Sequence, residues 1–151
     1  MTAFTQIIEA YEIAADAIRD SIGRPAHHEE SPSSDGSHHL SNIADSAYFF
    51  MLFARFEHLV TEMAVAHVDK GRRRADPADR RVWSVLDVRK MDFLRRLALL
   101  TDKGSPDYAT VRELYEDRNA IAHGRLIETK PNVKVVAAKL SGILSRLEGT
   151  P

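Results

Sequence analysis

Apolar residues recur along this chain at steps of three and four, the repeat of an α-helix, and nowhere in the two-residue alternation of a strand. Five stretches carry the pattern. The first runs from Phe4 to Ile22, with Phe4, Ile7, Ile8, Tyr11, Ala14, Ala15, Ile18 and Ile22 on one stripe and Gly23 and Pro25 as the stop. Residues 23–39, GRPAHHEESPSSDGSHH, are polar and rich in Ser, Gly and Pro, which predicts a flexible loop. The second stretch runs from Ser41 to Lys70 and closes at Gly71. Its part 47–53, AYFFMLF, is apolar on every side, which predicts a central helix or one that faces both a core and a partner. Beyond it, Phe56, Leu59, Val60, Met63 and His67 keep one stripe. The third spans Pro77 to Thr101 with a break near Asp87; Val82, Leu86, Leu94, Leu97, Ala98 and Leu100 are its apolar contacts.

The fourth stretch has a clear start signal. Ser105 is a candidate N-cap, Pro106 suits the first helical position, and Asp107 favours the positive end of the helix dipole. Gly124 is its expected left-handed cap. A loop with Pro131 leads to the fifth, Val133 to Leu147, with Val136, Leu140, Ile143, Leu144 and Leu147 on one side. Five amphipathic helices with short connections predict an all-α, up-and-down bundle of four to five helices. At 151 residues, 44% of them apolar, the chain has enough material for one domain, 1–151, with a real core.

Composition removes several chemistries. There is no cysteine, so disulfides, thiolate metal sites and cysteine nucleophiles are excluded. The first twenty residues carry acids and no basic segment, unlike a secretory signal, and no apolar run approaches the roughly 18 residues of a membrane span. A cytoplasmic protein with no membrane association is the expectation. No Glu-x-x-His pair exists for a bundle di-metal centre. His27, His28, His38 and His39 with Glu29 and Glu30 lie in the Ser/Gly-rich loop, without the fixed geometry a metal needs. No metal or cofactor is expected.

Net charge is −1 but uneven: residues 70–96 hold 10 Lys/Arg against 4 Asp/Glu, whereas residues 1–69 hold 3 against 11. Arg72, Arg73, Arg74, Arg80 and Arg81, continued by Arg89, Lys90, Arg95 and Arg96, form a basic island. Such an island suits an RNA backbone, and it equally suits a solvated helix face.

The stretch EDRNAIAHGRL, 116–126, breaks the helical pattern. Val111, Leu114, Ile121 and Ala122 define the buried stripe of the fourth helix, and the position completing it is Arg118. A permanent charge on a core face must be paired or must open onto a cleft. At about 100° per residue, Asn119 and His123 share a face, and Arg118 lies about 140° from His123. The groups converge if the arginine curls, if His123 sits in a loosened last turn, or if two copies of the helix face each other. A cation, an amide and an imidazole together suit RNA cleavage by its own 2′-hydroxyl, which needs a base, charge stabilisation at phosphorus and a proton for the leaving oxygen. The plainer alternative is an ion pair with an acid, for which Glu57 on the second helix is the candidate, plus a C-terminal cap.

Arg118-Asn119-Ala120-Ile121-Ala122-His123-Gly124 resembles the motif of the HEPN superfamily, an arginine and a polar residue followed by a histidine after a short spacer, at the end of a late helix. The segment FARFEHLVTE, 53–62, looks like the long second helix of many such proteins. The resemblance implies a HEPN-like helical bundle and a homodimer whose two motifs meet in a cleft. It implies a metal-independent endoribonuclease that leaves 2′,3′-cyclic phosphate and 5′-hydroxyl ends, often part of a toxin–antitoxin or phage-defence system with an antitoxin protein as partner. His123 would be the base or acid, Arg118 would position and stabilise the phosphate, and Asn119 would orient one of them or bind the backbone. Some family toxins carry, two residues after the histidine, a tyrosine that a partner modifies; here that position is Arg125. Other members are non-catalytic modules for dimerisation or partner binding.

Overall fold

A computed structural model describes residues 3–23, 34–125 and 132–149. Among them are six α-helices and no strand: α1 (Thr5–Gly23), α2 (Ser34–Arg72), α3 (Pro77–Ser84), α4 (Phe93–Leu97), α5 (Pro106–Ala122) and α6 (Val133–Glu148), with one 3₁₀ turn at Val88–Lys90. The fold is all-α, as the periodicity predicts. The third expected stretch breaks near Asp87, as anticipated, into two helices. Asp76 accepts a hydrogen bond from the Ala78 N–H to start α3, and Asp92 accepts one from the Arg95 N–H to start α4. Two aspartate caps therefore set the helix starts that apolar spacing leaves unmarked.

α2 is also longer than expected. It begins at Ser34, so residues 34–39 of the anticipated loop are helical. The rest of that loop after Gly23, residues 24–33, lies outside the described residues, and His27, His28, Glu29 and Glu30 with it; His38 and His39 are exposed on α2. With 39 residues, α2 is about 58 Å long and packs against every other helix, so it is the axis of the fold. Its inner face, Phe49, Leu52, Phe53, Phe56, Val60, Ala64 and Val68, is buried at steps of three and four. Phe53 and Phe56 meet Phe93 of α4 with ring centroids 5.4 and 6.2 Å apart, and Tyr115 of α5 closes the cluster 5.2 Å from Phe93. From α6, Val136, Leu140, Ile143, Leu144 and Leu147 are all buried, as their spacing predicts. Val82 departs from expectation: at 64% exposure it faces outward from α3.

α5 starts as its sequence says. Ser105 Oγ accepts from the Tyr108 N–H, Pro106 follows, and Asp107 lies in the first turn. Asn132 caps α6 in the same way through the Val135 N–H.

Candidate functional site

α5 turns Tyr108, Val111, Tyr115 and Arg118 inward, in steps of three, four and three. Tyr108 and Val111 are buried and Leu114, Tyr115 and Ile121 partly buried against the core, whereas Ala122, expected within the stripe, is exposed. Arg118 occupies the last place on that stripe and points at α2. Its Nη2 donates to Glu57 Oε2 at 3.4 Å, and its Nη1 donates to Asn119 Oδ1 at 3.1 Å. Its guanidinium carbon stands 5.0 Å from the centroid of the Phe50 ring, two turns before Glu57 on the same side of α2. Glu57 and Arg118 side chains are about a quarter exposed, at 26% and 25%. One guanidinium nitrogen, Nε, is buried without a partner. With Oδ1 occupied, the Asn119 amide N–H₂ is left as a donor.

His123 is the C-cap of α5 and is exposed. Two backbone bonds secure the helix end: Gly124 N–H to Ile121 O at 2.9 Å and Arg125 N–H to Ala120 O at 3.0 Å. These are the paired bonds of a Schellman cap, and they require the left-handed φ of 78° at Gly124. The imidazole makes no hydrogen bond to a described residue, so both ring nitrogens are open to a ligand. Within one chain Arg118 faces α2 and His123 stands at the helix end, without contact between them.

Along the outer side of α2, Leu40, Ile43, Ala47, Met51 and Ala54 are exposed at steps of three and four. Met51 alone is 49% exposed. This apolar stripe runs beside Phe50 and hence beside Arg118. The outer side of α5 is acidic, with Glu113, Glu116 and Asp117 exposed. The Asp117 carboxyl is held above its ordinary range first by loss of hydration and then by the charges of Glu116 and Glu113, although the residue as a whole stays exposed.

The basic island is largely bound to its own surroundings. Arg72 pairs with Asp69 at 3.1 Å and donates to the carbonyls of Trp83 and Leu86. Arg74 pairs with Asp79 at 3.3 Å and lies over the Trp83 ring. Arg80 donates to the carbonyls of Arg74 and Ala75, and Arg96 clamps Val88, Arg89 and Thr61. The side chains of Arg73, Arg81 and Arg89 are exposed and make no hydrogen bond or ion pair to a described residue. A cleft of about 510 Å³ is lined by Arg72, Arg80 and Arg81 with Pro77 and Ser84. Arg72 is fifteen residues from Glu57 on α2, about 22 Å along the axis, so this cleft is separate from the Arg118 cluster within one chain.

Sequence reasoning paired Arg118 with Glu57 but missed the Phe50 contact. An aromatic seven residues before the glutamate, one helical face apart by two turns, was the available signal. Among the described residues no group of three or more His, Asp or Glu is placed to hold a metal ion, and no helix is long and apolar enough to cross a membrane. No family model, no curated protein and no solved structure matches this chain.

Proposed function

We propose that this chain is a HEPN-type, metal-independent endoribonuclease that works as a homodimer on single-stranded or looped RNA. The observation that carries the reading is the last turn and a half of α5. It holds an arginine in a core-facing position against α2, an amide beside it with its donor free, and an exposed histidine on a rigid glycine cap. The exposed apolar stripe of α2 beside Phe50 supports a second copy as the partner. Two copies joined there supply two imidazoles and two guanidinium groups to one groove, which one chain does not.

In the proposed reaction, one His123 takes the proton of the RNA 2′-hydroxyl. The oxygen attacks the adjacent phosphorus, the bond to the 5′-oxygen breaks, and that oxygen receives a proton from the second His123. The products are a 2′,3′-cyclic phosphate and a 5′-hydroxyl. Arg118 stabilises the charge gathered on the phosphoryl oxygens, and the Asn119 amide donates to the backbone. Unstacked RNA is the fitting substrate because its 2′-hydroxyl can align in line with the leaving oxygen. Arg73 and Arg81, with Arg89, are members of the basic island whose side chains are left to hold flanking phosphates. An activity of this kind fits a toxin–antitoxin or phage-defence component, with an antitoxin protein as its natural partner.

The test is purified protein with RNA and EDTA, followed by end-group analysis. Cyclic phosphate ends are expected, and His123→Ala should abolish them with dimer and melting temperature unchanged. Cleavage by His123→Ala at the wild-type rate would remove His123 from the chemistry. One observation favours a second reading, a non-catalytic HEPN-like dimerisation or partner-binding module: Arg118 is already engaged by Glu57, Asn119 and Phe50. On that reading RNA stays intact, and Arg118 substitutions change assembly or stability alone.

A further inference from the structure

A second place in the fold holds a buried carboxylate with no ion pair among the described residues. Asp45 is only 8% exposed, and its Oδ1 accepts a hydrogen bond from the Tyr11 hydroxyl at 2.8 Å. A neutral phenol does not balance a carboxylate, and a buried carboxylate without a cation is expensive. Its second oxygen, Oδ2, makes no hydrogen bond to a described residue and is not among the polar atoms sealed from solvent. Asp45 instead lines a cavity of about 650 Å³ between α1, α2 and the start of α6. The other charges of that cavity cancel in pairs. Glu12 pairs with Lys134 at 2.5 Å, and Asp16 pairs with Arg19 at 2.9 Å; all four side chains are about half exposed or more. The wall beside Asp45 is the Tyr11 ring, braced edge-on by Tyr48 at 5.4 Å.

We infer that this cavity is a binding site for a small organic amine, whose ammonium group pairs with Asp45 Oδ2 and lies against the Tyr11 ring. The chemistry is specific. One negative charge is left over at the cavity floor, so a single ammonium completes it. An aromatic face next to a carboxylate favours a cation with apolar substituents over a fully hydrated metal ion. The paired Glu12 and Asp16 sit at the mouth, where a second amine can compete with Lys134 or Arg19, because exposed pairs are weak. The site is independent of the Arg118 cluster and of the proposed ribonuclease activity.

The experiment is calorimetric titration and thermal shift on the full chain with cadaverine, ethanolamine, free lysine, sodium ion and, as neutral control, pentanol. Saturable single-site binding of the amines with a raised melting temperature is expected, with sodium and pentanol inert. Free lysine binding best would place a carboxylate on Arg19 or Lys134; cadaverine binding best would place a second ammonium on Glu12 or Asp16. Either supports the site. Asp45→Asn, nearly isosteric, should weaken binding at least about tenfold. Should that variant fold poorly, Ala15→Leu narrows the same cavity without touching the charge and should block binding. No saturable amine binding, or amine binding unchanged in both variants, overturns the proposal.

Discussion

Replacing Glu57 by glutamine tests what holds Arg118 in place. The substitution keeps shape and an acceptor oxygen but removes the charge opposite the guanidinium. Exposed ion pairs contribute about 0–1 kcal/mol, whereas breaking a fully buried pair costs about 3–5 kcal/mol. Here both side chains are about a quarter exposed and the contact is long, at 3.4 Å, so the loss falls between those limits, at about 1–2 kcal/mol. The buried, unpartnered Nε keeps it from falling lower, because Glu57 is the anion that the guanidinium meets among the described residues. For a chain of this size that predicts a melting temperature lower by about 2–8 °C. Arg118→Leu should be milder: it lays an apolar side chain on Phe50 and leaves Glu57 able to reach water. Thermal unfolding followed by far-ultraviolet circular dichroism on the two single variants and the double variant completes a cycle, with an expected coupling of about 1 kcal/mol. A Glu57→Gln loss below about 0.5 kcal/mol, or a coupling near zero, contradicts this account and leaves Asn119 and Phe50 as the supports of Arg118 among the described residues.

Three further outcomes follow from the fold. Gly124→Ala should cost about 1–2 kcal/mol in thermal unfolding from backbone strain alone, since φ is 78° and an added Cβ meets nothing within 4 Å; Gly124→Asn should cost less. Gly71→Ala acts oppositely, through contact: its Cβ would meet the Trp83 ring, so about 1–3 kcal/mol of overpacking loss and a shifted emission from the single tryptophan are expected, and wild-type emission would refute the contact. Burial, then the hydrogen bond to and charge of Asp45, push the Tyr11 hydroxyl up to about 12. A raised folded-state value stabilises below the ordinary 10.0 and is lost as pH rises through about 12, so wild-type stability should decline across that window and Tyr11→Phe should flatten the decline. Equal slopes would sever the Tyr11–Asp45 link.

Most helix positions were readable because a helix must bury a stripe and the stripe has a period. α6 shows this best: every residue expected on its inner face is buried. The start of α2 was not readable for the converse reason. Its first turns, SDGSHH, bury nothing described, so no apolar period marks them, and glycine and serine there imitate a loop. The break between α3 and α4 was readable near Asp87; what apolar spacing left unmarked were the two helix starts, which Asp76 and Asp92 cap. Arg118 was readable as an anomaly, a charge where the stripe demands an apolar residue. Asp45 obeys the same logic, four residues before Phe49 on the inner face of α2, yet it stands among Ser41, Asn42 and Ser46 and the contrast is lost.

The apolar segment AYFFMLF marks the limit of periodicity itself. When every side of a helix is apolar, the sequence fixes no inner face, because burial depends on what docks there. The structure divides it: Phe49, Leu52 and Phe53 meet α4, α5 and α6, and Ala47 and Met51 turn outward beside Leu40, Ile43 and Ala54. A helix that needed only an inner face could carry charges on that outer side, as α5 does with Glu113, Glu116 and Asp117. α2 carries none from Ala47 to Ala54. A chain with about a quarter of its residues charged leaves such a strip bare at the one place that adjoins Phe50 and Arg118, and a second copy of α2 is apolar in the same register. On the proposed reading, mutating Met51 to lysine should therefore separate the proposed dimer without unfolding the monomer, measured by sedimentation, and the proposed RNA cleavage should fall with it; a dimer that survives places the interface elsewhere.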